Sequence, residues 1–239
     1  MIYIFDVDGT LTPSRGTIDP TFKSFFMDFA KDNDVYLVTG SDRPKTIEQV
    51  GEDLYNSCKR VYNCSGNDVY QGDLNIAHSY WKMPEVLHEY LSVELTESKF
   101  PLRTGLHFEH RTGLVNFSIV GRNATLAERQ LYVKYDTEHK EREIIAESVN
   151  KIFPNIQADV GGETGIDIFP KGSDKSQILD DVPFALQPKD NIKFFGDRCD
   201  EGGNDYPIAV LLKEDNVNHV TDWKDTWERL CIDTGEIPV

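Results

Sequence analysis

The sequence predicts an α/β core built on a parallel sheet and interrupted by an inserted α+β domain. Three observations carry this. Short apolar runs alternate with helical periodicity over the first third of the chain, the pattern of parallel strands joined by right-handed crossovers. The middle instead pairs strand-like runs across glycine turns and sets a long charged helical stretch beside them. After Pro170 the strand–helix alternation resumes. The core is therefore expected to be discontinuous, residues 1–77 and 172–239, with the insert at 78–171 and the crossings near Asn75–Tyr80 and Pro170–Ser173.

Ile2–Phe5 is an apolar run ended by the polar turn Asp6-Val7-Asp8-Gly9-Thr10, which reads as a buried strand opening into a functional loop. Phe22, Phe25, Phe26 and Phe29 recur at i, i+3, i+4, i+7, so a helix is expected over Pro20–Lys31. Val35–Val38 is a second strand, ended by Thr39-Gly40-Ser41-Asp42, and a helix from about Pro44 to Leu54 precedes a third strand at Arg60–Tyr62. Leu106–His110 and Leu114–Ile119 flank Arg111-Thr112-Gly113 as a hairpin. A helical stretch from Leu126 to Phe153, broken near Asp136, leads to a second hairpin of Ile156–Val160 and Ile166–Phe169 around Gly161-Gly162. A helix from Lys175 to Leu179, strands at Ile192–Phe195 and Ile208–Leu211, and a helix over Thr221–Cys231 complete the reading.

Composition narrows the function. With 239 residues, 39% of them hydrophobic and 11% aromatic, the chain is long and apolar enough for a real core. The net charge of −16 argues against a nonspecific nucleic-acid or anionic-membrane partner. It also requires that any anionic substrate find a local basic pocket. No apolar run approaches a transmembrane length, and Met1-Ile2-Tyr3-Ile4-Phe5 meets Asp6 without a basic leader, so no signal peptide is expected. The four cysteines, Cys58, Cys64, Cys199 and Cys231, form no C-x-x-C pair and read as free thiols of a cytoplasmic protein.

Three acidic clusters fall directly after apolar strands: Asp6/Asp8, Ser41-Asp42 and Asp197/Asp205. Ligands of open α/β sheets bind at the carboxyl ends of the strands, so all three are expected to line one crevice. Crowded carboxylates repel unless a cation lies between them, and Mg²⁺ suits a few carboxylates combined with phosphate oxygens. A single strand-end Asp more often caps the next helix; three such clusters favour the metal.

Asp6-Val7-Asp8-Gly9-Thr10, with Lys175 and Asp197, resembles the haloacid dehalogenase (HAD) superfamily of phosphoryl-transfer enzymes. The resemblance extends to the eukaryotic-type phosphomannomutases. Its blocks are Phe5 to Pro13, Gly40-Ser41-Asp42, Glu109 to Asn116, Ile119 to Arg122, Glu128-Arg129, Asp167 to Lys175, Phe194 to Asp197 and Gly202 to Asp205, in family order across nearly the whole chain. It implies a HAD-like Rossmannoid core with an inserted cap. It further implies interconversion of mannose 6-phosphate and mannose 1-phosphate for GDP-mannose synthesis, Mg²⁺, a hexose 1,6-bisphosphate activator, and a homodimer formed through the cap.

Carried onto this chain, the resemblance implies that Asp6 is the nucleophile and Asp8 the general acid/base. Lys175 and the strand-end Thr39 or Ser41 hold the transferring phosphoryl group. Mg²⁺ falls to Asp6, the Asp8 carbonyl and Asp197, with Asn204 and Asp205 nearby. Arg15, Arg111, Arg122, Arg129 and Asp167 contact the sugar phosphate. The family's usual Ser, two residues before that Asp, is Gly165 here, where a backbone N–H is the expected substitute. The arginines answer the charge question, since a guanidinium grips phosphate with a planar fork. For Arg122 and Arg129, pairing with surface acids is the alternative. Thr39-Gly40 stands where the family often has Gly-Gly and related HAD sugar phosphatases have Thr-Gly, so a Mg²⁺-dependent sugar-phosphate phosphatase is the second reading. A non-catalytic binding module ranks last, because Asp6, Asp8 and Lys175 are all present.

Overall fold

Strand β1 (Ile2–Phe5) is buried on both sides, and its alternation sends Tyr3 and Phe5 to one face of a sheet and Ile2 and Ile4 to the other. The computed structural model describes residues 1–14 and 16–235. Helix α1 (Pro20–Asp32) lays Phe22, Phe26 and Phe29 against the first face, the Phe26 ring meeting Phe5 edge-on at 4.9 Å. Asp19 caps α1 by accepting the Thr21 and Phe22 N–H groups. Strand β2 (Asp34–Val38) runs parallel to β1. The helix expected to Leu54 is two helices, α2 (Arg43–Val50) and α3 (Glu52–Ser57), because Gly51 at φ 86° turns the chain out of the helical region. Strand β3 (Arg60–Asn63) adds parallel to β2. Strands β4 (Asp68–Gln71) and β5 (Leu74–His78) then form an antiparallel hairpin on the same sheet, which the sequence reading did not include.

Residues 79–173, together with 202–204, form a unit of their own. Helix α4 (Glu85–Glu97) leads to the hairpin of β6 (Phe108–Arg111) and β7 (Leu114–Phe117). The long helical stretch is α5 (Leu126–His139) and α6 (Glu141–Ile152), interrupted at Lys140, whose φ is 56°, rather than near Asp136. Strands β8 (Ile156–Gly161) and β9 (Gly165–Pro170) make the second hairpin, and the four strands order as β6-β7-β9-β8, all antiparallel. Phe117, Ile156, Ala158, Ile166 and Ile168 share a core with Leu87 and Leu91 of α4, Tyr132 of α5, and Ile145 and Val149 of α6. With a period of two, the other face of the sheet takes the polar residues. Glu109, Asn116, Asp167 and Asp159 sit opposite one another in a row across β6, β7, β9 and β8.

The chain returns to the first unit at Asp174. A 3-10 helix, Lys175–Asp180, replaces the expected α-helix and leads to α7 (Val182–Ala185) and β10 (Ile192–Gly196), which pairs parallel with β1. Ile208–Leu211 is not a strand. Pro207 sits in the first turn of the short helix α8 (Tyr206–Ala209), and the Asp205 carbonyl accepts the Ile208 and Ala209 N–H groups. The edge strand is β11 (Val217–His219), followed by α9 (Trp223–Thr234). The seven strands order as β11-β10-β1-β2-β3-β4-β5, parallel from β11 to β3 and antiparallel beyond. None of the four cysteines is joined in a disulfide, and among the described residues no helix is long and apolar enough to cross a membrane.

Candidate active site

The loop after β1 is built by its own backbone. The Asp6 N–H still donates to Phe195 O at 2.9 Å, and the Val7 carbonyl then collects the N–H groups of Thr10, Leu11 and Thr12 at 2.9–3.3 Å. Gly9 makes the bend at φ 80°, where a Cβ would lie 2.4 Å from Asp197 Oδ2, so only glycine lets the loop lie this close to the end of β10. From below, Thr226 of α9 donates its hydroxyl to Thr10 O at 2.7 Å.

Asp6, Asp197 and Asp205 each bring a carboxylate oxygen into a group within 4.8 Å of one another. Lys175 is 1% exposed and places its ammonium 2.5 Å from Asp6 Oδ1 and 2.7 Å from Asp205 Oδ1. Burial works against the Lys175 charge, but Asp205 and Asp6 outweigh it and raise its pKa. One ammonium does not balance three carboxylates. Burial, with Asp205 and Asp197 against the pull of Lys175, raises Asp6 well above the usual carboxylate range, and burial with Asp205 raises Asp197. This all-oxygen, charge-deficient donor set fits a hard divalent cation. Burial and the same carboxylates push the Cys199 thiol up to about 12, so it is no competing nucleophile.

Asp8 lies beside this cluster on the same loop. Its Oδ1 accepts from Gln49 Nε2 at 2.9 Å and its Oδ2 from the Ser41 hydroxyl at 3.5 Å. Thr39 is buried at the end of β2, and its hydroxyl accepts the Ser41 N–H at 3.1 Å. Asp42 plays the plainer role: it caps α2, accepting the Lys45 N–H at 3.0 Å. Asn204 is half-buried and groups with the second unit, while its neighbour Asp205 is fully buried in the first.

In the second unit, Glu109 links two of the predicted arginines. Its Oε1 accepts from Arg111 Nε at 3.1 Å and Nη2 at 3.0 Å, and its Oε2 pairs with Arg122 Nε. Burial pushes Glu109 up, yet Arg111 and Arg122 outweigh it and hold the carboxylate below its usual range. Arg129 is buried, and its Nε lies 4.0 Å from the carboxylate of the exposed Glu163. Asp167 Oδ1 accepts from Asn116 Nδ2 at 2.6 Å, and its Oδ2 lies where a Cβ on Gly161 would sit, at 2.4 Å. The same Asn116 carboxamide explains Gly165, since a Cβ there would be 2.5 Å from Asn116 Nδ2. The polar group beside Asp167 is thus a carboxamide from the neighbouring strand. Arg142 Nη1 ties down the β8–β9 turn through the carbonyls of Gly162 at 3.0 Å and Gly165 at 3.3 Å. Arg15 lies outside the described residues. The sequence reading missed Gln49, Asn116 as a partner of Asp167, and Glu109 as a linker. A Gln in a charged helix carries no signal of burial, whereas Glu109 stood two residues from a predicted arginine.

A strand-end nucleophile candidate, a buried lysine and an acidic cluster on a Rossmann-like sheet define a HAD-type phosphoryl-transfer fold. The fold is shared with a HAD subclass IIB sugar phosphatase, which superposes with a TM-score of 0.60 at 18% identity over 99% of each chain. Within that class the chain belongs to the eukaryotic phosphomannomutase family, whose model matches residues 22–232. It is 34% identical to the phosphomannomutase of Spinacia oleracea over 96% of this chain and 94% of that one. It is also 34% identical to that of Saccharomyces cerevisiae over 87% of this chain and 85% of that one.

Proposed function

We propose that this enzyme interconverts mannose 6-phosphate and mannose 1-phosphate, with a hexose 1,6-bisphosphate as activator and intermediate, and so supplies GDP-mannose synthesis. The observation that carries the reading is the buried Lys175 held between Asp6 and Asp205, beside Asp8, in a chain of this family. Asp6 attacks the phosphorus of a hexose bisphosphate. The bond to the leaving sugar oxygen breaks as Asp8 gives that oxygen a proton. The phospho-Asp6 group passes to the free hydroxyl of a bound hexose monophosphate as Asp8 takes that hydroxyl's proton. The bisphosphate so formed, held in the opposite orientation, gives up the phosphoryl group at its other position to Asp6, Asp8 returning the proton to the sugar oxygen released. Lys175 and the hydroxyl of Thr39 or Ser41 hold the equatorial oxygens. Mg²⁺ is held by Asp6, the Asp8 carbonyl and Asp197, with Asp205 and Asn204 as supporting groups; when bound it offsets charge on the transferring phosphoryl group. Arg111, Arg122, Arg129 and Asp167, with Arg15, bind the sugar and its second phosphate, while Gly165 leaves room for Asn116.

The protein is further proposed to act in the cytoplasm as a homodimer formed through the inserted domain. The test is the purified protein with mannose 1-phosphate, Mg²⁺ and a hexose 1,6-bisphosphate. Mannose 6-phosphate is expected to appear without matching release of inorganic phosphate. Stoichiometric free phosphate and no isomer assign a phosphatase instead.

A further inference from the structure

The geometry points to Gln49 as the residue that positions Asp8 for proton transfer, acting through its side-chain amide. This rests on the reading of Asp8 as the general acid/base. Gln49 is the penultimate residue of α2 and only 1% exposed. Its peptide carbonyl is already used, accepting the Ile18 N–H at 2.8 Å, so the side chain is not needed to anchor the helix there. The amide nitrogen instead lies 2.9 Å from Asp8 Oδ1 and 3.4 Å from the Thr12 hydroxyl. The Thr12 hydroxyl in turn donates to the Val7 carbonyl at 3.3 Å. One NH₂ group therefore fastens the Asp8 carboxylate to the far side of its own loop. The nitrogen end of the amide, not its oxygen, faces the Asp8 carboxylate.

The other end of the same amide shows what this arrangement costs. Gln49 Oε1 is buried and has no hydrogen-bond partner among the described residues. A buried acceptor without a donor is unfavourable, and an amide selected for packing alone would have both ends satisfied or would be an apolar side chain. Asp8 must reach first one sugar oxygen and then another without swinging away, and a carboxylate gripped at Oδ1 by Gln49 and approached at Oδ2 by Ser41 is restrained in the way such a step requires.

The experiment is Gln49→Met, which keeps the length and burial and removes the donor, in the wild-type and Asp8→Asn backgrounds. Steady-state conversion, single-turnover labelling of Asp6 by a hexose 1,6-bisphosphate, and thermal melting are measured. In the wild-type background kcat is expected to fall about 10–100-fold, the loss of one hydrogen bond to a charged group. KM should stay within about twofold and the melting temperature should not fall. In the Asp8→Asn background the same substitution should cost less than about threefold, because the residue it acts through is already gone. A kcat within about threefold of wild type overturns the proposal. So does a loss that follows a lowered melting temperature, or one repeated undiminished without Asp8. Asp8→Asn alone separates the two levels: if it remains active, the proton role of Asp8 fails and Gln49 has nothing to position.

Discussion

At the scale of single residues, the site is governed by charge that the protein only half neutralises. Asp6 faces Lys175 at 2.5 Å and still carries a raised pKa, from burial and from Asp205 and Asp197. Asp6→Asn keeps the shape of the loop and removes the nucleophile. Turnover should drop by at least ~10³-fold with the far-ultraviolet dichroism unchanged, and turnover within tenfold of wild type refutes the assignment. The raised carboxyls also fix a pH dependence. Asp6 and Asp197 bind protons more tightly folded than unfolded. Their contribution to stability is therefore complete below the unfolded value of about 4 and is lost as pH rises through the folded values. A bound divalent cation supplies the missing positive charge in place of protons. In chelator, the melting temperature should show this loss on going from about pH 4.5 to about pH 7, and added Mg²⁺ should raise it more at the higher pH. An equal Mg²⁺ increment at both pH values counts against the cluster as the binding site. The strand-end positions of Asp6, Asp8 and Asp197 were legible because each follows an apolar run. The amide of Gln49 was not, because burial of a polar residue depends on which helix face the tertiary fold covers.

At the scale of elements, breaks decide more than propensities. The long helical stretch of the inserted region breaks at Lys140 in a left-handed conformation, φ 56°, which serves at once as the C-cap of α5 and the N-cap of α6. A side chain there costs about 1–2 kcal/mol relative to the favoured backbone region, and glycine does not bear that cost. Lys140→Gly should therefore stabilise by about 0.5–1 kcal/mol after glycine's own chain entropy, read as a raised melting temperature with activity unchanged; a lowered one argues that the α5–α6 corner needs the lysine side chain. The sequence reading placed this break near Asp136, four residues early. That carboxylate instead serves the corner, accepting the Arg142 N–H and Nε at 2.8 Å each. Both cap hairpins and the strands β1, β2, β3 and β10 were readable from alternation and from glycine turns. The β4–β5 hairpin had a signal, the Gly72-Asp73 turn with Gly72 at φ 57°, but its apolar stretches are short, Val69-Tyr70 in β4 and Leu74, Ile76 and Ala77 in β5, and β5 is exposed throughout. Ile208–Leu211 misled for the opposite reason: four apolar residues suit a strand or one helical turn equally, and Pro207 selects the turn.

At the scale of the whole molecule, the question is how a chain of net charge −16 handles a substrate with two phosphates. The division of residues suggests the answer: the carboxylates and Lys175 belong to one unit and Arg111, Arg122 and Arg129 to the other. On the proposed reading, transfer chemistry and phosphate retention fall to different stretches of the chain, and a mutase needs both where a simple phosphatase needs only the first. Arg129 tests this most sharply. It is buried, and its Nε lies 4.0 Å from the carboxylate of the exposed Glu163. If it grips the second phosphate, Arg129→Ala forfeits a charge-assisted hydrogen bond worth about 1.5–3 kcal/mol, roughly 10–100-fold in transition-state stabilisation. The loss should be selective. Conversion of mannose 1-phosphate should fall by that factor, while slow hydrolysis of a small phosphate ester, which has no second phosphate and needs only Asp6, Asp8, Lys175 and Mg²⁺, should hardly change. Arg129→Lys should recover part of the conversion, since a point charge replaces a fork. A melting curve on each variant separates a folding defect, which lowers both activities together. Equal loss on both substrates with the fold intact would reject the phosphate-gripping role and shift the assignment toward hydrolysis.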